Sequence, residues 1–174
     1  MADAGSSVKP VALGDLRLVH YSIHVVHRVR SKRQTNVLGF KPEGFWVSVE
    51  NFEPNWKTWC EAEQYDIGNL KVPYDVRLRE DAEILWLRTA EDIDKFTADY
   101  DARKGASIRI CNIDWKRLAE NHRGIIIAPY QWSRRFSTKY SWYYAWDCAS
   151  GCIWDARAIE STAERKAAMQ DGSP

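Results

Sequence analysis

The sequence predicts an α+β domain dominated by a mixed sheet, and three observations lead there. Short segments rich in β-branched and aromatic residues recur along the chain, separated by turn residues. Between them lie stretches with helical spacing and capping side chains. Neither an internal repeat nor a Pro/Gly/Ser-rich linker divides the chain. At 174 residues it fits one domain with a real core.

Residues 1–14 are small and polar and read as a disordered lead-in. "LRLVHYSIHVV", from Leu16 to Val26, alternates, so its first half reads as a strand. A basic loop follows over about residues 28–43. "GFWVSVE" is a second strand after the turn Pro42-Glu43-Gly44. "NWKTWCEAEQYD" places Trp56, Trp59, Cys60 and Glu63 at helical spacing after Pro54. "YDVRL" and "AEILWLR" are strands separated by a polar turn.

Thr89 caps the next helix, with Asp92 as its acidic capping-box partner and Ile93, Phe96 and Tyr100 as its apolar stripe. "IDWKRLAENHRG" is a further helix, capped by Asp114 and stopped by Gly124. "IIIAPY" is a fully buried strand. "SWYYAWDC" and "GCIWDARAI" supply the last two strands, or one bulged strand. Residues 161–174 are rich in alanine and charge and read as a flexible tail.

Hydrophobic content of 45% and charged content of 28% describe an ordinary globular chain. A net charge of +1 argues against a global basic field. Basic charge is local, in "HRVRSKR" at 27–33 and "WSRRFSTK" at 132–139. Nine tryptophans and eight tyrosines exceed what core packing demands, so some are expected to line a groove. Cys60, Cys111, Cys148 and Cys152 form no Cys-x-x-Cys pair, and the histidines offer no zinc-ligand spacing. Reduced thiols in a cytoplasmic protein are the expectation. The stretch "MADAGSSVKP" has no apolar leader character, and no run is long and apolar enough to span a membrane.

Three segments carry candidate chemistry. In "LVHYS", alternation puts His20 and Ser22 on one face and Val19 and Tyr21 on the other. In "KPEGFWVS", Gly44 allows close backbone approach, and Trp46 and Ser48 share a face. Trp46 offers a flat surface for a heteroaromatic ring. In "WDCASGCIWD", Asp147 and Ser150 are polar residues embedded in aromatic sequence, a setting that sites exploit. Each also has a structural reading: a satisfied strand histidine, a core tryptophan, an aspartate serving a β-bulge near Gly151.

Taken in order, these pieces resemble the ADP-ribosyltransferase fold of the diphtheria-toxin/PARP type. "LVHYS" resembles that family's first strand with its histidine, and "GFWVS" its second, with Trp46 in the place of a tyrosine. "LAENHRGIIIAPY" and "CIWDARAI" look like its late helix, buried strand and closing segment. The chain is also similar to small phage and bacterial proteins with "WDCASGCIW"-like endings. The resemblance covers roughly residues 15–160 and implies two packed mixed or antiparallel sheets with flanking helices and NAD in a cleft between them. It implies His20, Tyr21, Ser22, Trp46 and Ser48 as NAD contacts, with Arg30 and Arg33 from the basic loop. His20, Asp147 and Ser150 are the implied catalytic candidates.

The departures from the pattern are specific. Ser150 stands where the family carries a glutamate, and a serine brings no negative charge. Losing a preorganised charge at such a site costs on the order of 10²–10³ in rate. Asp147 replaces it if a bulge at 149–151 turns its side chain inward. The expected activity is transfer of ADP-ribose from NAD to a macromolecular acceptor, a host protein or a nucleic acid. The alternatives are a nucleotide- or nucleic-acid-binding module without chemistry, or a phage-encoded inhibitor of a host factor.

Overall fold

The structure, a computed structural model, describes residues 11–35, 40–103 and 110–166. Seven strands make one sheet. They are β1 (Leu18–Ser22), β2 (Phe45–Val49), β3 (Val72–Leu78), β4 (Ile84–Leu87), β5 (Gly124–Ile127), β6 (Ser150–Ile153) and β7 (Ile159–Glu164). Their spatial order is β4-β5-β6-β2-β1-β3-β7. The β4–β5 pair is parallel and every other pair is antiparallel. The fold is therefore α+β with a mixed sheet.

Two packed sheets are not what the strands form. β1 hydrogen-bonds to β2 on one side and β3 on the other, which joins both halves into one sheet. The halves are joined weakly. The β1–β2 ladder holds only the pairs Leu18–Val49 and Val19–Ser48. By contrast β1 follows β3 from Leu18 through Ser22, and β2 follows β6 from Phe45 through Ser48. The sheet thus opens along a seam beyond Val19.

Each face of the sheet carries its own apolar layer. Ile125 and Ile127 of β5 enter a layer with Phe96, Trp115, Trp142 and Trp146, while Ile126 enters the opposite one with Val47, Val49 and Ile153. Alternation along one strand fills both layers, which explains the continuous apolar run there.

The helices follow their caps. In α1 (Trp56–Glu63), Asn55 Oδ1 accepts from the Thr58 N–H at 3.2 Å. In α2 (Ala90–Tyr100), Thr89 Oγ1 accepts from the Asp92 N–H at 3.1 Å, and Asp92 Oδ2 accepts from the Thr89 N–H at 3.0 Å. This reciprocal pair is the expected capping box. Asp114 caps α3, but α3 is only Trp115–Leu118. A further short helix, α4, spans Trp132–Arg135.

Three sequence expectations are corrected. Gly124 does not stop a helix; it opens β5. A Cβ there would lie 2.7 Å from Ile84 Cδ1 and 2.9 Å from the Cys152 carbonyl oxygen, so close strand packing requires glycine. Residues Thr138–Ala145 are 3₁₀-helical rather than a strand. Their buried rings, Tyr140, Trp142 and Tyr143, do not alternate, so a flat strand would expose one of them. Finally, residues 161–164, assigned to a flexible tail, belong to β7 and pair with β3. This edge strand is largely exposed and polar, so it carries no apolar alternation to read. The rest of the expected tail, residues 167–174, and residues 1–10 of the expected lead-in lie outside the described residues.

Gly44 sits where β2 begins, and a Cβ there would lie 2.6 Å from the Ile153 carbonyl oxygen. Gly44→Ala is expected to destabilise the protein by about 1–3 kcal/mol in urea denaturation, because backbone cannot yield as a side chain would. Gly14, which has nothing within 4 Å of its Cβ position, is the control: Gly14→Ala leaves the midpoint unchanged.

Candidate functional site

A cleft of about 480 Å³ opens at the seam. β1 contributes Val19 to Ser22 and the following Ile23, and β2 contributes Trp46 to Ser48. Asp147, Cys148 and Ser150 come from the segment entering β6. Trp56 opens α1, while Asp66 and Asn69 come from the turn that follows it. The sheet's divergence supplies the space, and the α1 region supplies a wall.

His20 bridges the seam. Its Nδ1 lies 2.7 Å from the Trp46 carbonyl oxygen. A carbonyl only accepts, so Nδ1 carries the proton and Nε2 keeps its lone pair. The side chain thereby serves a carbonyl that the shortened β1–β2 ladder leaves without a backbone partner there. Burial pushes the imidazole below its usual pKa, partly offset by this hydrogen bond.

The rings of His20 and Trp46 leave the sheet on opposite faces. The register Val19–Ser48 places His20 with Phe45 and Val47, and its ring stacks on Phe45 at 4.1 Å. Trp46 packs against Trp146 at 4.9 Å in the other layer. Both still line the cleft. Trp46 is not an open stacking surface either, since Lys41 Nζ lies 5.1 Å from its ring centroid.

Asp147 lines the cleft and is held by Arg135, whose Nη2 donates to Oδ1 at 2.8 Å. Arg135 Nη1 donates to the Tyr130 hydroxyl at 3.0 Å. The pair is largely withdrawn from water, with side chains 15% and 21% exposed, which strengthens the attraction. Ser48 and Ser150 are register partners on β2 and β6 and are both buried. Ser150 Oγ donates to the Cys148 carbonyl at 3.1 Å. Ser48 Oγ accepts from the Trp56 N–H at 3.0 Å, which leaves its own O–H to donate.

Tyr21 and Ser22 also line the cleft, with their hydroxyls engaged by other partners. The Tyr21 hydroxyl donates to Glu50 Oε1 at 2.6 Å, and Glu50 in turn is bound by Arg165. Ser22 Oγ accepts from the His24 N–H. Arg30 and Arg33 do not line the cleft; they project from an exposed loop leading away from Ser22.

Sequence reading missed Lys41, Trp56, Asp66, Asn69 and Cys148 as cleft residues. Lys41 opens a segment already singled out, but a lysine before a turn carries no distinctive spacing. Asp66 and Asn69 are positioned by a sharp exit from α1. Gln64 and Asp66 both adopt positive φ of 51°, a costly conformation for residues other than glycine. Asn69 Nδ2 then donates to Asp66 Oδ1. Burial pushes the Cys148 thiol up to about 12, so it stays protonated and is a poor nucleophile.

Comparison with protein-family models, with curated proteins and with solved structures finds no match.

Because His20 has a lower pKa folded than unfolded, the unfolded chain binds the extra proton first. Its contribution to stability is present above the unfolded value of 6.5 and is lost as pH falls below it toward the folded value. His20→Gln is therefore expected to flatten the loss of denaturation midpoint on acidification from pH 7, measured against wild type in parallel titrations.

Proposed function

We propose that the cleft binds NAD and that the chain is an ADP-ribosyltransferase-like protein acting on a macromolecular acceptor. One observation carries this reading: His20 of β1, Trp46 and Ser48 of β2, and Asp147 and Ser150 at the start of β6, far apart in sequence, line the same cleft. Its volume lies within the range of small-molecule sites, about 300–1,000 Å³.

The residues present fit a dinucleotide in a particular way. Lys41 is the cation at the cleft and suits a pyrophosphate. The Ser48 hydroxyl can donate to, and His20 Nε2 accept from, sugar hydroxyls. Trp56 offers an aromatic wall on the α1 side, stacked from behind on Trp59 at 5.4 Å. NAD supplies a glycosidic bond to a good leaving group. Asp147 is the carboxylate this reading assigns to positive charge developing at the sugar, with Arg135 fixing its direction.

A second reading is binding without transfer. It is favoured by the engagement of two of the three catalytic candidates: Ser150 donates to Cys148, and Asp147 is neutralised by Arg135.

Thermal-shift measurements with NAD and ADP-ribose, followed by chromatographic assay of released nicotinamide, test both readings. A rise in Tm with either ligand that Lys41→Ala removes supports the site. Release of nicotinamide by wild type, reduced about 10²-fold or more in Asp147→Asn, supports transfer. Binding with no release in any acceptor-containing extract leaves the binding module. No shift with either ligand overturns the nucleotide reading.

A further inference from the structure

We infer that single-stranded nucleic acid binds beside the cleft, with phosphates on the loop after β1 and bases on an exposed aromatic cluster around Arg135. The inference goes beyond the NAD reading and stands independently of it; only its extension, that this strand is the acceptor, rests on that reading.

The loop that leaves β1 is a fixed basic strap. It starts at Ser22 and Ile23, both cleft residues. The Val26 N–H donates to the Tyr74 hydroxyl, and the Lys32 N–H donates to the Trp154 carbonyl at 2.8 Å. Ser31 Oγ accepts from the Ala156 N–H at 2.9 Å. Gln34 exchanges two hydrogen bonds with the Glu43 backbone, which returns the strap to the entrance of β2. The backbone is thus tied down at several points while its basic side chains face water.

Those side chains are cations without carboxylate partners. Arg28, Arg30, Lys32 and Arg33 are all exposed, and among the described residues none makes an ion pair. The contrast within the molecule is sharp. Arg77, Arg79, Arg103, Arg123, Arg134, Arg135, Arg157 and Arg165 all pair with Asp or Glu. Elsewhere Arg17, Arg88 and Arg117 meet a carbonyl or an aromatic ring rather than a carboxylate, but they are scattered, whereas the strap gathers four such cations within residues 28–33. A row of unpaired, preplaced cations is complementary to a phosphodiester backbone, whose condensed counterions it displaces.

The aromatic cluster indicates which form of nucleic acid. Trp132 (54% exposed), Phe136 (76%) and Tyr144 (60%) surround the Arg135 guanidinium at 5.6–5.8 Å. Arg135 bonds Asp147, so the cluster adjoins the cleft at the entry to β6, while the strap meets the cleft at its start, Ser22 and Ile23. Exposed rings beside an arginine stack on unpaired bases, and duplex DNA offers no such faces.

The test is fluorescence anisotropy with labelled single-stranded DNA and RNA of about 12 nucleotides, a duplex of the same length and a poly-glutamate peptide, all without NAD. Single strands are expected to bind more tightly than the duplex, with affinity falling as salt rises. The triple variant Arg28→Ala/Arg30→Ala/Arg33→Ala should lower the slope of log affinity against log salt by about 2, at roughly 0.7 per lost phosphate contact. Phe136→Ala/Tyr144→Ala should weaken single-strand binding about tenfold and leave the slope unchanged. All substituted positions are exposed, and unchanged thermal unfolding confirms folding. Absence of binding, a triple variant that binds like wild type, a preference for duplex, or equal binding of poly-glutamate each overturns the inference. A failure of NAD to bind leaves this result intact, and the converse also holds.

Discussion

The architecture depends on how little β1 and β2 hold each other. Both strands are strongly paired on their outer sides and share only two register pairs between them. A sheet interior normally satisfies its backbone groups by continuous ladders. Here the ladder stops at Val19, and the His20 imidazole takes over the carbonyl of Trp46. That substitution lets the strands part without leaving a polar group stranded, and the gap becomes the cleft. Its chemistry follows from the same event, because the hydrogen bond fixes the tautomer and burial keeps the ring neutral.

Around β5 and β6 the packing is close. β5 and β6 approach so closely that both Gly124 and Gly151 would bring a Cβ against neighbouring backbone. The aromatic layer above them packs edge to face, with Phe96, Trp115 and Trp142 in mutual contact at 5.2–6.1 Å. Trp142 Nε1 finds a partner in Thr97, and Trp154 Nε1 in the His122 carbonyl. Trp146 Nε1 is buried and has no hydrogen-bond partner among the described residues, and its ring lies nearly perpendicular to that of Trp142. Beside this layer lies the Asp147–Arg135 pair, with Arg135 also bonded to the Tyr130 hydroxyl.

Much of the element order was legible from residue pattern. The strands at residues 18–22, 45–49, 72–78 and 84–87 and the caps Thr89 and Asp114 announce themselves by local chemistry, whereas the Asn55 cap emerged only from the structure. What stayed hidden needed information that no local pattern carries. The aromatic stretch at 138–145 has high strand propensity, yet tertiary burial of Tyr140, Trp142 and Tyr143 winds it into a 3₁₀ helix. β7 is polar on both sides, so only its pairing with β3 defines it. At the cleft, alternation correctly separated His20 from Tyr21 and joined Trp46 to Ser48. It did not give the register between strands, which alone puts the two rings on opposite faces. Lys41 and Trp56 were invisible for the same reason: loop and helix ends reach the cleft through chain path, not spacing.

One feature of the core reaches beyond packing. Trp142 touches Trp146, Trp146 touches Trp46, and Trp46 lies under Lys41 at the cleft. The contacts span 4.9–6.5 Å between ring centroids. At such separations electronic excitation hops between indoles faster than it decays. Such exchange runs in both directions, so an occupant of the cleft that quenches Trp46 also draws on excitation shared with Trp146 and Trp142.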